Sequence, residues 1–342
     1  MNRLTLLLLL AALVLSCKKV DDIPLVIESF FAEPDSVFPG DTVNVTFTYS
    51  DPDGGNGIGI TWHGEPGKWI EGLPSEPTSV LWIAPHEPGE YLITIEVYAG
   101  TEILSDSLKV FVMDTTGTFI DSRDGHEYKW AKIGSQIWMA ENLAYLPSVS
   151  PPTIGWDATG FCYVYGYLGT DVNEAKNHPD YSTYGVLYNW STAMDGTSSS
   201  SLTPSGVQGI CPNGWHLPSD GEWKILELYL GMNPSDADQE MFRASGQVGI
   251  KLKSRNGWFE GGNGTNASGF NALPAGIRDA NGNFEFGAFG GKDRIAYFWS
   301  TTTEYDPIAR IRVLWYSETG ICRMEDLKHS GLSVRCVKDQ LK

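Results

Sequence analysis

The chain has 342 residues, enough for two or three domains with cores of their own. Hydrophobic residues are 42% and charged residues 19%, with 38 glycines, 12 tryptophans and 15 tyrosines. That mixture excludes disorder and favours strands and turn-rich loops. The net charge of −18 excludes nucleic acid as a partner, because phosphate binding needs a basic surface.

Residues 1–17 read as a secretory leader. Asn2 and Arg3 precede an apolar run from Leu4 to Leu15. The run is shorter than the roughly 20 residues of a bilayer-spanning helix and suits a signal-peptide hydrophobic region. Val14-Leu15-Ser16-Cys17 resembles the bacterial lipobox, in which the cysteine is acylated and becomes the mature N-terminus. That resemblance implies a membrane anchor at Cys17. Lys18 follows where inner-membrane retention would use aspartate, and Lys18-Lys19-Val20-Asp21-Asp22 is similar to export tags of surface lipoproteins in Bacteroidota-type bacteria. The expected location is the outer membrane, exposed at the cell surface. Setting Cys17 aside, Cys162, Cys211, Cys322 and Cys336 allow three pairings. In an exported chain two disulfides are the default.

A polar linker, 18–24, leads into a strand-rich region. Thr42 to Tyr49 alternates, placing Val43, Val45, Phe47 and Tyr49 on one face. Further strands are expected at 58–62, 79–84, 91–98 and 107–113, separated by turns such as Pro39-Gly40, Asp51-Pro52-Asp53-Gly54-Gly55 and Pro88-Gly89. The pattern predicts an antiparallel β-sandwich over 25–113. Pro88 to Val97 resembles the penultimate strand of PKD-type and related immunoglobulin-like modules, which implies a spacer.

After the hinge 114–117 the texture becomes aromatic and glycine-rich. The spacing of Leu187, Trp190 and Met194 predicts a helix over 183–194. Ser219-Asp220-Gly221-Glu222 is a capping box opening a helix with Trp223, Leu226 and Leu230 on one stripe. Ser235 is expected to cap a third helix, 236–244. Late strands are expected at 294–301, 309–316 and 331–337.

The motifs of this region occur in one family's order. They are Gly117 to Tyr128, Ile133 to Leu143, Tyr184 to Trp190, Cys211 to Trp223, Leu273 to Arg278, Phe298 to Thr302 and Ser333 to Asp339. Together they resemble the Fibrobacter succinogenes major paralogous domain, a module of lipoproteins in Fibrobacter and Bacteroidota, over 117–340. The module is similar to the C-type lectin-like fold, shared with formylglycine-generating enzymes. The resemblance implies an α+β lectin-like domain after the immunoglobulin-like (PKD-like) all-β sandwich. It also implies a disulfide between Cys211 and Cys336, which leaves Cys162 for Cys322. Closing the first loop would stabilise by about 4–5 kcal/mol in the chain-entropy model.

The chemistry-bearing motifs of related folds are missing. There is no Glu-Pro-Asn, Gln-Pro-Asp or Trp-Asn-Asp calcium tripeptide, no HExxH, no CxxC and no GxSxG. Cys322 and Cys336 stand too far apart for a copper-binding catalytic pair. No metal or cofactor is expected, and Asp51-Pro52-Asp53-Gly54 and Asn281-Gly282-Asn283 read as turns. His216, between Trp215 and Leu217, reads as a packed histidine supporting the loop before the capped helix.

In lectin-like folds the long loops corresponding to 253–300 carry the ligand surface. Trp258, Arg278, Asp279, Asn281, Asn283 and Glu285 are therefore the ligand-binding candidates. The expected function is non-enzymatic recognition of a glycan or surface protein by a membrane-anchored lipoprotein. The alternatives are a structural component of the envelope and a hydrolase whose site carries no recognisable motif.

Overall fold

The structure, a computed structural model, describes residues 24–51, 57–70, 78–155, 159–280 and 289–339. The leader with Cys17, the turn at 52–56 and the candidates Asn281, Asn283 and Glu285 lie outside the described residues. The protein is mostly β-sheet, and it divides after Asp114 into two compact units.

The first unit has two four-stranded sheets among its described residues. One runs Val26–Glu33, Thr42–Ser50, Ser79–Ile83, Lys68–Trp69; the other runs Ser36–Val37, Glu102–Val112, Gly89–Ala99, Ile58–His63. Period-two alternation builds them: Val43, Val45 and Phe47 are buried in one sheet, and Ile93, Ile95 and Val97 in the other. Val43, Val45 and Trp82 share a single core with Ile93, Val110 and Val112, so the two sheets face each other across it. The Trp82 indole N–H donates to the Gly64 carbonyl at 2.7 Å. A Cβ at Gly67 would lie 2.1 Å from that indole, which is why the turn there carries glycine.

The second unit is α+β. A five-stranded sheet has the order Trp215–His216, Val337–Lys338, Gln136–Met139, Glu127–Ile133, Thr116–Ile120. The last strand of the chain is thus inserted between two earlier ones. A six-stranded sheet has the order Met241–Arg243, Ile321–Leu327, Ile308–Trp315, Ile295–Trp299, Ala275–Arg278, Phe289–Lys292. Cys162–Tyr163 pairs with Leu187–Tyr188 in a separate ribbon.

The helices are α1 (Val172–Lys176), α2 (Pro179–Tyr184), α3 (Trp190–Met194), α4 (Asp220–Tyr229) and α5 (Val248–Leu252). Helix α4 opens on the capping box read from the sequence, with Ser219 and Glu222 exchanging both bonds. It lays Trp223 and Leu226 into a core with Trp138, Phe270, Phe298 and Leu314.

Two expected helices are corrected. The segment 183–194 is not continuous: Gly185, at φ 74°, ends α2 and sends the chain into the Leu187–Tyr188 strand before α3 begins. Residues 236–244 form no helix. A short 3-10 turn, Pro234–Asp236, precedes the strand Met241–Arg243, whose pairing with Ile321–Leu327 outweighs the local helical preference.

Cys211 and Cys336 are joined, with Cα atoms 6.0 Å apart and 125 residues between them in sequence. The second bridge is corrected: Cys162 and Cys322 are buried free thiols. Cys162 belongs to the two-stranded ribbon and Cys322 to the six-stranded sheet, and each fills its place in the core as a small apolar side chain.

Candidate functional site

Asn189 organises the concave part of the second unit. It is fully buried and caps α3, its Oδ1 accepting from the Thr192 N–H at 3.1 Å. The same oxygen accepts from the Phe161 N–H at 2.9 Å, and Asn189 Nδ2 donates to the Thr159 carbonyl at 2.6 Å. One side chain thus ties α3 to the segment 159–161 that leads into the Cys162–Tyr163 strand. Trp190, next in sequence, donates its indole N–H to the Ser300 carbonyl at 3.0 Å, and the Lys328 ammonium lies 4.4 Å from its ring.

Between these two walls lies a cleft of about 520 Å³, lined by residues of 147–148, 160–162, 190–197 and Ile210. Its base is fixed from outside. Arg123 pairs with Asp121 and donates to the Ile210 carbonyl at 2.8 Å while stacking 3.9 Å over Tyr145. The Ile210 N–H donates to the Ala193 carbonyl at 3.0 Å, and Gly209 approaches so closely that a Cβ would sit 2.1 Å from that oxygen. Asp195, at φ 47°, and Gly196 then turn the chain out along the rim. Cys162 lines the cleft, but burial pushes its thiol up to about 12, so it is not a nucleophile at neutral pH. Hydroxyls of Ser148, Ser191, Thr192 and Thr197 and the Asp195 carboxylate line the cleft and can hold and orient a ligand.

A charged cluster ties the start of α4 to the end of the chain. His216 Nδ1 lies 2.6 Å from Asp339 Oδ1 and Nε2 lies 2.6 Å from Glu222 Oε1. With a carboxylate on each nitrogen, both must donate, and the ring is an imidazolium. Burial alone would lower its pKa, but the bonds and charges of Glu222 and Asp339 outweigh that and raise it. Glu222 serves twice: its other oxygen accepts from the Ser219 and Ser205 N–H groups, each at 3.0 Å.

A pKa raised in the folded state contributes stability that is fully present below the unfolded value, ~6.5, and is lost as pH rises through the folded value. Urea midpoints measured from pH 5.5 to 9 are expected to fall in the wild type and to flatten in His216→Gln. An unchanged slope in that variant would exclude the His216–Glu222–Asp339 bonds as its source.

Of the sequence-predicted ligand residues, the three that are described, Trp258, Arg278 and Asp279, do not form a ligand surface. Trp258 is 5% exposed, its indole N–H donating to Ser254 Oγ and to the Ala272 carbonyl, each at 3.1 Å. It is a core residue because these two acceptors sit within the loop it closes. Arg278 is 4% exposed, donating to the Pro152 and His329 carbonyls and lying over Tyr163, so it pins loops together. Asp279 is half-buried at the end of its strand. The cleft beside α3 was missed; the signal that could have found it is Asn189 ahead of Trp190-Ser191-Thr192, an N-cap in mid-motif. Among the described residues no group of three or more His, Cys, Asp or Glu is placed to hold a metal ion. No helix among them is long and apolar enough to cross a membrane.

The model of the Fibrobacter succinogenes major domain matches residues 131–338 of this chain. No curated protein matches it. Among solved structures, the adhesin InvE of Yersinia pseudotuberculosis aligns at 12% identity over 90% of this chain and 96% of that one, with a TM-score of 0.22. A likeness that slight carries no argument about fold or function.

Proposed function

The chain belongs to the Fibrobacter succinogenes major domain family, and on that premise we propose that it is a surface-exposed outer-membrane lipoprotein whose C-terminal unit recognises a glycan or protein ligand. The anchor is the acylated Cys17 of the Val14-Leu15-Ser16-Cys17 motif. The N-terminal sandwich is an immunoglobulin-like spacer, and the C-terminal unit is a C-type lectin-like module that binds without covalent chemistry. The observation that carries this reading is the cleft beside α3, whose two walls are locked together by the single buried side chain of Asn189. A cleft built rigid before ligand arrives loses little entropy on binding. The disulfide ahead of α4 and the inserted last strand support the lectin-like assignment.

Two measurements test the two halves. Labelling with a palmitate analogue is expected to mark the wild type and not Cys17→Ala, and protease treatment of intact cells is expected to release peptides of both units. A glycan array probed with the exported chain is expected to give reproducible spots. A blank array, together with failure to cross-link any surface partner, would remove the recognition role.

A further inference from the structure

Among the described residues asparagine precedes glycine at three places, Asn213-Gly214, Asn256-Gly257 and Asn263-Gly264. Asparagine is chemically labile, and a following glycine, lacking a side chain, leaves its backbone nitrogen open to approach. The fold treats the three pairs differently. Asn263 Oδ1 accepts from the Trp258 N–H at 3.0 Å, and the Gly264 N–H donates to the Ser254 carbonyl at 2.8 Å. A Cβ on Gly264 would lie 2.4 Å from the Lys253 carbonyl oxygen, so that pair is held on every side. Asn213 is the opposite case. It and Gly214 are exposed, and among the described residues no hydrogen bond engages the Asn213 amide or the Gly214 N–H. Nothing lies within 4 Å of a Cβ built on Gly214. Asn256 and Gly257 are exposed too, with the Asn256 carbonyl taking the Ser254 hydroxyl at 2.6 Å.

We propose that Asn213 is a site of spontaneous deamidation, and that its isoaspartyl product loosens the hold on the last strand. Asn213 and Gly214 are the central residues of a turn closed by the Trp215 N–H on the Pro212 carbonyl at 3.0 Å, with Gly214 at φ 80°. The Gly214 carbonyl in turn accepts from the Asp339 N–H at 2.9 Å, beside the pairing of Trp215–His216 with Val337–Lys338. The Gly214 nitrogen, giving its proton to solvent base, attacks the Asn213 side-chain carbonyl carbon; ammonia leaves and a cyclic imide joins the two residues. Water then opens the imide. Breaking the bond from nitrogen to the side-chain carbon gives aspartate at 213. Breaking the bond to the main-chain carbon gives isoaspartate, whose chain runs through the former side chain and is one methylene longer. Either way an amide and water become a carboxylate and ammonia, and no oxidant or cofactor enters. The extra methylene falls inside the turn, so the Pro212–Trp215 and Gly214–Asp339 bonds cannot both keep their geometry. The Cys211–Cys336 bond stays closed and keeps the loosened end attached. The inference does not depend on what the cleft binds.

The test is ageing of the full exported chain, folded and with its disulfide intact, at pH 6 and at pH 8. Peptides are then mapped by mass, with an isoaspartyl methyltransferase label to mark isoaspartate. Asn213 is expected to convert, faster at pH 8, and Asn263 to convert roughly tenfold more slowly or less, because reaction there waits for local opening. In urea, where the fold no longer discriminates, the three pairs are expected to convert at similar rates. Aged wild type is expected to show a lowered urea midpoint. Asn213→Gln has a longer side chain that must close a larger, slower-forming ring, and it is expected to keep its midpoint through the same ageing even as Asn256 converts. Asn213→Asp carries the new charge without the methylene and is expected to lie nearer to fresh wild type than the isoaspartyl fraction does. An Asn213 that stays intact in the folded chain while Asn256 converts, or that converts no faster than Asn263, would overturn the proposal. Equal midpoints for the isoaspartyl fraction and fresh protein would overturn it as well.

Discussion

Glu227→Gln is expected to destabilise the second unit by about 3–5 kcal/mol, the cost of leaving a buried charge without its partner. Asp220 and Glu227 stand seven residues apart on α4 and therefore share one face. Against them lie three guanidinium groups from the six-stranded sheet. Arg312, fully buried, reaches Glu227 Oε1 at 2.5 Å and Asp220 Oδ1 at 2.8 Å. Arg243 forks onto Glu227 at 2.7 and 2.9 Å, and Arg323 onto Asp220 at 2.8 and 3.0 Å. Neutralising Glu227 leaves Arg243 without a carboxylate and Arg312 with Asp220 alone, already shared with Arg323 and Lys224.

Arg312→Met is expected to cost distinctly less. It leaves Arg243 with Glu227 and Arg323 with Asp220 as two balanced pairs around an apolar replacement of similar length. Urea unfolding of both variants at pH 7 checks the order, and Arg312→Met emerging as the more damaging would refute the charge-balance account. Burial alone would raise the Asp220 pKa, but the Arg312 charge and the Arg323 bonds hold it well below the ordinary carboxylate range. Its folded pKa is depressed, so its contribution is present above the unfolded value of ~3.9 and is lost only as pH falls through the lower folded value. Moderate acid leaves the Asp220 pairs in place.

What the sequence made legible, and what it did not, follows from the range of the interactions. The strand Thr42–Ser50 could be read because each inward residue repeats at every second position, a property of the strand itself. The start of α4 could be read because Ser219 and Glu222 satisfy each other within one turn. The segment 183–194 misled because its spacing of apolar residues is helical while Gly185 and the pairing of Tyr188 with Cys162, 26 residues earlier, break it. The α4 network was invisible for a similar reason. Arg310 and Arg312 alternate with Ile311 and Val313, and Arg312 is answered by Asp220 and Glu227 of a helix some 85 residues earlier, while Arg310 is answered by Glu240, Glu304 and Glu325. Trp258 was misplaced because an aromatic residue in a glycine-rich loop carries no local sign that a carbonyl at Ala272 will take its N–H. The cleft needs Asn189 to meet Thr159 and Phe161, which no local pattern announces.

Removing the Cys211–Cys336 bond is the other large perturbation. With 125 residues between the cysteines, the chain-entropy model gives a loss of about 5 kcal/mol on reduction or in the Cys211→Ala, Cys336→Ala double variant. The closed loop contains α4, α5 and all six strands of the six-stranded sheet, so opening it frees most of the second unit in the unfolded ensemble. The folded state keeps a second, non-covalent link at the same place. Trp215 and His216 pair with Lys338 and Val337, and the His216 imidazolium holds Asp339. Reduced protein is therefore expected to remain folded at pH 6, with a lowered urea midpoint, and to lose further stability as pH rises and the imidazolium gives up its proton. Combining reduction with His216→Gln is expected to cost more than the two losses added, since each tie limits how far the other's removal lets the last strand leave the sheet. Native alkylation should leave Cys162 and Cys322 unmodified throughout, their buried thiols being pushed up to about 12 and about 11. Equal urea midpoints with and without reductant, in material shown by mass to be fully reduced at Cys211 and Cys336, would mean that strand pairing and the ion pair alone hold the unit closed.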